Sequence, residues 1–347
     1  MPPDRSPREQ AEAAEIVDQG ATITAAEPMD HNRTGEVDAA VAALRDRIAD
    51  HAAIAGLGTV SEEPRAWRAV ADDLADRGPA DLADRLDALV GRVEQPYPSL
   101  VRLRFRLEEG LDFVPGQYVR ISYAGEEPRV YSIASPPSDE ELELCIRRVP
   151  GGELTPDLCD RASVGDELFV RGPFGDEFTL QAPSDRDLVF VATGTGVAPF
   201  KSMVDHLFET GLDEFEGGPR QVWLFLGSGW ADHLPYREAF RELAETRDNF
   251  HFVPTLSRES FLTNWAGETD YVQRTLLKYL DSDAVDALPD PYAESAAAEP
   301  AVDVDARIDP GRTEAYVCGL GAMADGVVEV LEALDLPEGL VRVESYG

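Results

Sequence analysis

The sequence is poor in positive charge, and above all in lysine. Its 347 residues include 67 acidic and 31 basic residues, which gives a formal net charge of -36. Only two of the basic residues are lysines, Lys201 and Lys278. Because binding to a phosphate backbone requires a basic surface, this shortage argues against nucleic acid as a partner.

An excess of one charge destabilises a compact chain through self-repulsion at low ionic strength. In about 1 M salt the screening length falls to about 3 Å, and most of that repulsion disappears. The combination of many acids, scarce lysine and frequent arginine therefore indicates a halophilic cytoplasm, with an ordinary acidic protein as the alternative.

Cysteine, histidine and long apolar runs are also scarce. Cys145, Cys159 and Cys318 lie far apart without a C-x-x-C pattern, and the five histidines show no ligand spacing. Neither an iron-sulfur cluster nor a structural zinc site is therefore expected, and no metal is predicted. No apolar run approaches the roughly 20 residues of a membrane span. The opening "MPPDRSPREQ" lacks the apolar core of a signal peptide, so a cytoplasmic protein is expected.

The first part of the chain has a helical pattern. Residues 1–35 are polar and broken by Gly and Pro, and we expect them to be largely unordered apart from a short helix around "AEAAEIV". Three apolar stripes at helical spacing follow. Their residues are Val37, Val41, Leu44 and Ile48, then Trp67, Val70, Ala71 and Leu74, then Leu82, Leu86 and Leu89. Residues 1–88 are therefore predicted to form a helical N-terminal extension, partly disordered.

Residues 89–183 have the pattern of short strands separated by Gly, Pro and acidic turns. In "VRLRFRL" the apolar residues alternate with arginines, which places Val101, Leu103 and Phe105 on one face. Similar short segments recur in "GQYVRISYAG", "LELCIRRV" and "DELFVRGPFG". Strands of this length and spacing predict an antiparallel barrel or sandwich.

Residues 184–347 alternate between buried strands and amphipathic helices. The strand "DLVFVATGTG" followed by the helix "APFKSMVDHLFE" begins an alternation that predicts an α/β domain with a parallel sheet. Residues 281–311 interrupt it with nine acids and one arginine. That composition predicts a solvated, mobile loop.

Two short motifs could carry chemistry. In "TGTGVAPF", Gly194 and Gly196 allow backbone amides at a helix start to approach an anion such as a pyrophosphate, although one Gly-rich turn is weak support. In "PRVYSIASPP", Arg129 can pair with a phosphate, Tyr131 can stack on a flat ring and Ser132 can hydrogen-bond a ring nitrogen. In isolation this stretch also fits a strand with an exposed arginine and a half-buried tyrosine.

The order of the motifs is more specific than any one of them. "PRVYSIASPP" is followed by "LCIRRV", "GELTPDL", "GPFG", "TGTGVAPF", "YREAF", "SRE" and "YVCGLGAM". This series resembles the ferredoxin-NADP reductase family, in its plant-type branch, across about residues 89–347. The resemblance implies an α+β two-domain reductase. An antiparallel Greek-key β-barrel binding FAD spans 89–183, an α/β parallel-sheet domain binding NADP spans 184–347, and the helical extension 1–88 lies outside the resemblance.

The resemblance also implies cofactor sites on both domains. Where the family usually has Ser in its pyrophosphate turn this chain has Thr155, and where relatives often carry a lysine it has Thr269. The FAD residues would be Arg129, Val130, Tyr131, Ser132, Cys145, Ile146, Arg147, Gly152, Leu154, Thr155 and Tyr346. The NADP residues would be Thr193, Gly194, Thr195, Gly196, Ser228, Ser257, Arg258, Tyr271, Gln273, Gly319 and Leu320.

The last residues, "VESYG", match an ending that is common in the plant-type branch. There the terminal tyrosine stacks on the flavin where nicotinamide must later lie, so Tyr346 would be a gate, and Gly347 is an addition. Ser132, Cys318, Glu344 and Tyr346 are the implied catalytic residues. For Cys318 a small buried residue at a strand end is the alternative.

The implied activity is electron exchange between NADP(H) and a one-electron carrier protein, with ferredoxin as the first candidate, through bound FAD. Alternatives are an NAD(P)H-dependent reductase component of an oxygenase, or a free flavin reductase. A non-catalytic nucleotide-binding module is a more distant alternative, because the flavin motif is intact.

Overall fold

The computed structural model describes residues 5–346, which form two main sheets and a separate group of helices. The strands are β1 (Val17–Pro28), β2 (Leu100–Leu107), β3 (Tyr118–Tyr123), β4 (Arg129–Ser132), β5 (Leu142–Arg147), β6 (Glu167–Phe174), β7 (Asp187–Thr193), β8 (Glu214–Phe215), β9 (Gly218–Pro219), β10 (Val222–Ser228), β11 (Phe250–Leu256), β12 (Thr313–Leu320) and β13 (Val341–Tyr346). The helices are α1 (Pro7–Ala13), α2 (Thr34–Ala49), α3 (Pro64–Arg77), α4 (Ala80–Glu94), α5 (Leu154–Asp160), α6 (Ala198–Thr210), α7 (Arg237–Thr246), α8 (Val272–Leu277), α9 (Ser282–Ala287), α10 (Tyr292–Ala296) and α11 (Gly321–Ala333). None of the helices in the described part of the chain is long and apolar enough to cross a membrane.

Six antiparallel strands form the first sheet, in the order β4-β3-β6-β1-β2-β5. A bridge between Ile133 and Leu144 joins its two ends, so the sheet closes into a barrel. Alternate residues of the strands fill the interior, as the period of two in "VRLRFRL" predicts, with Leu103 and Phe105 fully buried. The predicted antiparallel barrel is confirmed.

Strand β1 corrects the prediction for the first part of the chain. Residues 1–35 were expected to be largely unordered, but Val17–Pro28 pairs with β2 on one side and β6 on the other. The barrel therefore begins well before residue 89. The sequence signal is weak because only two small or branched side chains of this strand, Ala21 and Ile23, are buried. Helix α1 covers Pro7–Ala13, and residues 1–4 lie outside the described residues.

The predicted helical segments are α2, α3 and α4, and they lie between β1 and β2. They are an insertion in the barrel rather than an extension before it, and residues 29–99 are called the helical insertion below. Their predicted apolar stripes are buried against one another around Trp67 and Leu86. Trp230, from the second domain, completes this core and so joins the insertion to that domain.

Five parallel strands form the second sheet, in the order β11-β10-β7-β12-β13. Helices α6 and α7 cover one face through residues such as Phe200 and Phe240, while α8 and α11 cover the other through residues such as Leu276 and Val327. The central strands are buried on both faces, which explains their nearly continuous apolar sequence. The predicted α/β domain is confirmed.

The acidic segment 281–311 is not the solvated loop that its composition predicted. It contains α9 and α10, and Ala296 and Ile308 are buried in the core beside α8. The backbone amide of Ala301 donates to Glu268 Oε1 at 2.7 Å. Apolar residues placed between the acids therefore fix this segment to the domain.

Candidate active site

A cleft of about 1360 Å³ lies where the barrel meets the carboxyl end of the parallel sheet. It exceeds the roughly 300–1,000 Å³ of most small-molecule pockets, so it has room for more than one ligand of ordinary size. Its walls are supplied by β4, β5 and the start of α5 on one side, and by the loops after β7, β10 and β11 on the other. The C-terminal strand β13 reaches into the middle of it.

The barrel wall of the cleft is built from the first motif. Nine of the eleven residues predicted at FAD line this wall: Arg129, Val130, Tyr131, Ser132, Cys145, Arg147, Gly152, Leu154 and Thr155. Tyr346 lines the cleft from β13, whereas Ile146 points into the barrel core because it follows Cys145 on the same strand. The turn before α5 is closed by Thr155, whose Oγ1 accepts from the Val149 amide at 2.9 Å.

Arg147 places a largely desolvated positive charge in the cleft. Burial lowers the pKa of this guanidinium, and within residues 5–346 no carboxylate forms an ion pair with it. Its Nη2 donates to Nδ1 of His233 at 3.5 Å, and burial lowers the pKa of His233 to about 3, so this imidazole is neutral. A cation in this setting favours an anionic ligand.

The nucleotide-domain wall begins at the Gly-rich turn. Thr193, Gly194 and Thr195 line the cleft, but Gly196 does not. A side chain at Gly196 would overlap the Cys318 carbonyl oxygen, so this glycine permits a close approach between the turn and β12. The hydroxyl of Thr193 is buried and has no hydrogen-bond partner among the described residues, which leaves it available to a ligand.

Two neighbouring loops continue this wall. Ser228, the last residue of β10, lines the cleft, and the loop after β11 contributes Ser257 and Arg258. The Ser257 amide donates to the Ser228 carbonyl at 3.0 Å, so the two loops are joined at the cleft. Tyr271, 65% exposed, and Gln273 stand beside them, and Leu320 lines the cleft from β12.

The C-terminal residues lie at the centre of the cleft. In the register of β12 with β13, Glu344 is opposite Cys318 and Tyr346 is opposite Leu320. The Tyr346 hydroxyl donates to the Thr193 carbonyl oxygen at 3.1 Å and lies 3.3 Å from Thr195 Oγ1. These two contacts anchor the Tyr346 ring to the Gly-rich turn. Gly347 lies outside the described residues.

Burial changes the acid strength of the groups beside this strand. It raises the pKa of Glu344 to about 7 and that of Tyr346 to about 12. It also raises the pKa of the Cys318 thiol well above its ordinary value, which keeps the sulfur protonated. Cys318 is 1% exposed and does not line the cleft, and neither does Gly319, so both lie behind the cleft wall.

The sequence motifs do not include every residue of the cleft. Tyr118 lies opposite Ser132 in the pairing of β3 with β4, and its ring stacks on Phe174 with centroids 5.7 Å apart. Gly229 and Asp270 also line the nucleotide side. Tyr118 could have been found only through the strand pairing, because its own sequence context shows an ordinary barrel strand.

Two family models match the chain, one for each cofactor-binding domain. Residues 92–178 match the family described as "Oxidoreductase FAD-binding domain", and residues 190–329 match "Oxidoreductase NAD-binding domain". Ferredoxin-NADP reductase of Synechocystis is 28% identical over 292 residues, which cover 75% of this chain and 64% of that protein. The chain therefore has an FAD-binding and an NAD-binding oxidoreductase domain and is similar to ferredoxin-NADP reductases. It is an FAD- and NAD(P)-binding oxidoreductase.

Other relatives are named as reductase components of monooxygenases. The reductase component of propane 2-monooxygenase from Rhodococcus jostii is 31% identical over 264 residues, which cover 74% of this chain and 62% of that protein. The fold is shared with the ferredoxin NADP+ reductase of Neisseria gonorrhoeae with bound FAD and NADP, at a TM-score of 0.53 and 20% identity over 72% of this chain and 93% of that one. The chain spans slightly less than two thirds of the length of the two sequence relatives.

The cleft of the reductase fits these two cofactors chemically. Arg129, Arg147 and Arg258 line it although the whole chain carries a net charge of -36. The Thr193 hydroxyl, which has no partner within residues 5–346, and the backbone turn that Gly196 permits lie at the start of a helix, where anions are favoured. Each of the two domains therefore presents arginine side chains to the cleft, and the nucleotide domain adds a hydroxyl that can bind a ligand.

Proposed function

We propose that the reductase exchanges electrons between NADP(H) and a one-electron carrier protein, with ferredoxin as the first candidate. One observation carries the proposal: the barrel motif around Ser132 and the Gly-rich turn around Thr195 open into a single cleft. FAD supplies the chemistry that links a hydride donor to one-electron partners. The protein supplies binding, orientation and proton control.

On the barrel side, the residues of the first motif would hold FAD. Arg129 and Arg147 provide charge for the pyrophosphate, Tyr131 provides a ring for the flavin, and Ser132 provides a hydroxyl beside it. Burial raises the pKa of Tyr131 to about 12, so its ring stays neutral. The turn closed by Thr155 presents backbone groups at the start of α5.

On the nucleotide side, Thr193, Gly194 and Thr195 would hold the pyrophosphate of the pyridine nucleotide. Ser257 and Arg258 would bind the 2′-phosphate of NADP, and Tyr271 would stack on adenine. Thr269 supplies no positive charge where relatives often have a lysine, so Arg258 is the main cation proposed for this phosphate.

Tyr346 would act as a gate. Its ring lies between the two walls, held to the Gly-rich turn by its hydroxyl, and nicotinamide must displace it to reach the barrel side. Glu344 would exchange a proton with the reacting groups, since a pKa near 7 allows either protonation state at neutral pH. Cys318 would support Glu344 from behind the cleft wall.

A single titration tests the main proposal. The purified yellow protein is reduced anaerobically with NADPH or NADH and then mixed with oxidised ferredoxin, and both absorbance changes are followed. The proposal is supported if NADPH reduces the protein at a much lower concentration than NADH does. It also requires that ferredoxin then rapidly oxidises the reduced protein. Equal catalytic efficiency with the two nucleotides would refute the NADP preference.

A second candidate is the reductase component of an oxygenase, favoured by the match to the propane 2-monooxygenase component. In that case the oxygenase or its own small carrier would oxidise the protein faster than ferredoxin does. Rapid reduction of free flavin alone would instead indicate a flavin reductase. For either partner we place the reaction in a cytoplasm of high salt.

A further inference from the structure

The helical insertion contacts the back of both loops that carry nucleotide-side residues. The residues at the end of β10 and directly after β11, around Ser228 and Ser257, line the cleft. The residues that follow them turn away from it and are buried against the insertion, where Trp230 and Phe261 join its apolar core. Residues 229–234 and 257–262 are called the nucleotide loops below.

Arg33, which immediately precedes α2, fastens the two nucleotide loops together. Its guanidinium is 7% exposed and donates to both carboxylate oxygens of Glu259, which is 2% exposed, at 2.9 and 3.0 Å. The same carboxylate accepts from the Ala231 amide at 2.8 Å. Glu259 follows Arg258 directly, so one buried ion pair fixes the backbone next to the proposed 2′-phosphate residues.

Two other arginines of the insertion extend this contact. Arg92 donates to Asp232 at 2.6 Å, and Arg33 lies 3.5 Å from the other oxygen of that carboxylate. Arg85 donates to the Phe261 carbonyl oxygen at 2.8 Å. Each nucleotide loop is therefore held by at least two guanidinium groups that come from outside the nucleotide domain.

We propose that the helical insertion orders the nucleotide loops and that Arg33 is a positioning residue for pyridine-nucleotide binding. A bidentate pair between a guanidinium and a carboxylate fixes orientation as well as distance. With the loops already ordered, the nucleotide does not have to supply that ordering when it binds. The effect on the 2′-phosphate rests on the proposed roles of Ser257 and Arg258.

The test compares substitutions at Arg33 in the FAD-loaded protein. Arg33→Lys keeps the positive charge but loses the planar guanidinium that binds both carboxylate oxygens, whereas Arg33→Met loses the charge as well. We expect KM for NADPH and the dissociation constant of 2′,5′-ADP to rise about tenfold in Arg33→Met and about threefold in Arg33→Lys. We expect kcat at saturating NADPH to change less than about twofold and the flavin spectrum to be unchanged.

Arg47→Met is the matched control, because Arg47 lies on α2, the helix that Arg33 precedes, and forms an exposed ion pair with Asp81. This variant should leave KM for NADPH and the dissociation constant of 2′,5′-ADP unchanged. Arg33→Met could destabilise the fold by leaving Glu259 unpaired, so the melting temperature and flavin content are measured for all variants. Arg33→Lys, which keeps a cation beside Glu259, then provides the decisive comparison.

Unchanged nucleotide constants in a folded, flavin-loaded Arg33→Lys protein would overturn the proposal. So would a parallel loss of kcat, flavin and nucleotide affinity, which is the mark of a purely structural contact. A failure of the proposed NADP preference can be distinguished from a failure of the proposed role of Arg33. If the unsubstituted protein neither binds 2′,5′-ADP nor prefers NADPH, the roles of Ser257 and Arg258 are wrong, and KM for NADH then decides the role of Arg33.

Discussion

At the residue scale, Tyr346 and Glu344 occupy the point where the two walls of the cleft meet. Both are on β13, and the pairing register of β13 with β12 determines where along the cleft they lie. The sequence ending predicted their importance, but it did not predict that the tyrosine hydroxyl binds the Gly-rich turn. That contact depends on the packing of β13 beside β12, which no local pattern reveals.

Replacing Tyr346 with serine should tighten nucleotide binding and raise the use of NADH. Aromatic stacking is worth about 1 kcal/mol, and nicotinamide no longer has to offset it when the ring is gone. The measurement is kcat/KM for NADH and NADPH together with the dissociation constant of NADP+. Tyr97→Ser, at an exposed tyrosine that does not line the cleft, is the control. An unchanged NADPH/NADH preference would refute the gate.

The protonation of Glu344 should make stability depend on pH. Its pKa is raised from 4.5 to about 7, so the folded state favours the neutral acid. The stabilisation is complete below about pH 4.5 and is lost as the pH rises through about 7. The melting temperature of the unsubstituted protein should therefore fall relative to that of Glu344→Gln between pH 5 and pH 8.

Glu338→Gln is the matched control, because Glu338 is exposed and close by in sequence. It should show the same pH dependence as the unsubstituted protein. A Glu344→Gln protein whose melting temperature follows that of the unsubstituted protein at every pH would show that Glu344 is already ionised at pH 5.

At the element scale, the acidic segment between α8 and β12 is held by a buried carboxylate. Glu268 is 1% exposed and accepts from Lys278 Nζ at 2.7 Å and from the Tyr279 hydroxyl at 2.9 Å. It also accepts from the Ala301 amide, so it joins the segment to the helix before it. One of only two lysines in the chain is used for this contact.

Removing that lysine should destabilise the protein and release the segment. Lys278→Met leaves Glu268 buried without its cation, which we expect to cost about 3 kcal/mol in the free energy of unfolding. Tyr279→Phe removes the hydrogen bond that the hydroxyl donates to Glu268 and the one that it accepts from the Val302 amide, and it should cost about 2 kcal/mol. Urea unfolding measures the loss, and limited proteolysis should cut Lys278→Met first within residues 281–311. Equal losses in the two variants would contradict this role for the ion pair.

The elements that the sequence predicted are those whose apolar period is strong and local. The stripe of α2, the alternation of β2 and the apolar run of β7 each predicted a structure that is present. Strand β1 was missed because its partners are β2 and β6, far along the chain, and pairing rather than composition makes it a strand. The site motifs predicted most of the residues that line the cleft. The contacts of the helical insertion behind the cleft could not be predicted, because they depend on packing between distant parts of the chain.

At the scale of the whole molecule, charge is the dominant feature. Buried ion pairs such as that of Arg220 with Glu314 are neutral as pairs, so the net charge of -36 comes from the remaining residues. The outer surface therefore carries a strong negative field. An acidic electron carrier would meet repulsion at low salt, and screening would reduce it.

The melting temperature should rise as sodium chloride increases from about 0.1 M to about 2 M, because the Debye length falls from about 10 Å to below about 3 Å. Replacing Asp72, Asp76 and Asp84, three exposed acids of the helical insertion, with asparagine should raise stability at low salt and reduce this dependence. Thermal unfolding across the salt series gives both quantities. Stability that stays constant or falls with added salt would remove the halophilic interpretation.

The position of the helical insertion has a further consequence for how the barrel closes. Strands β1 and β2 are antiparallel neighbours, with Pro28 opposite Val101, and the Met29 amide donates to the Leu100 carbonyl oxygen at 2.8 Å. They form a hairpin whose connection is a folded unit instead of a turn. Loop-closure entropy grows by only about 0.6 kcal/mol for each doubling of length, and a unit with its own core already brings its ends together. The barrel can therefore carry this unit at small entropic cost.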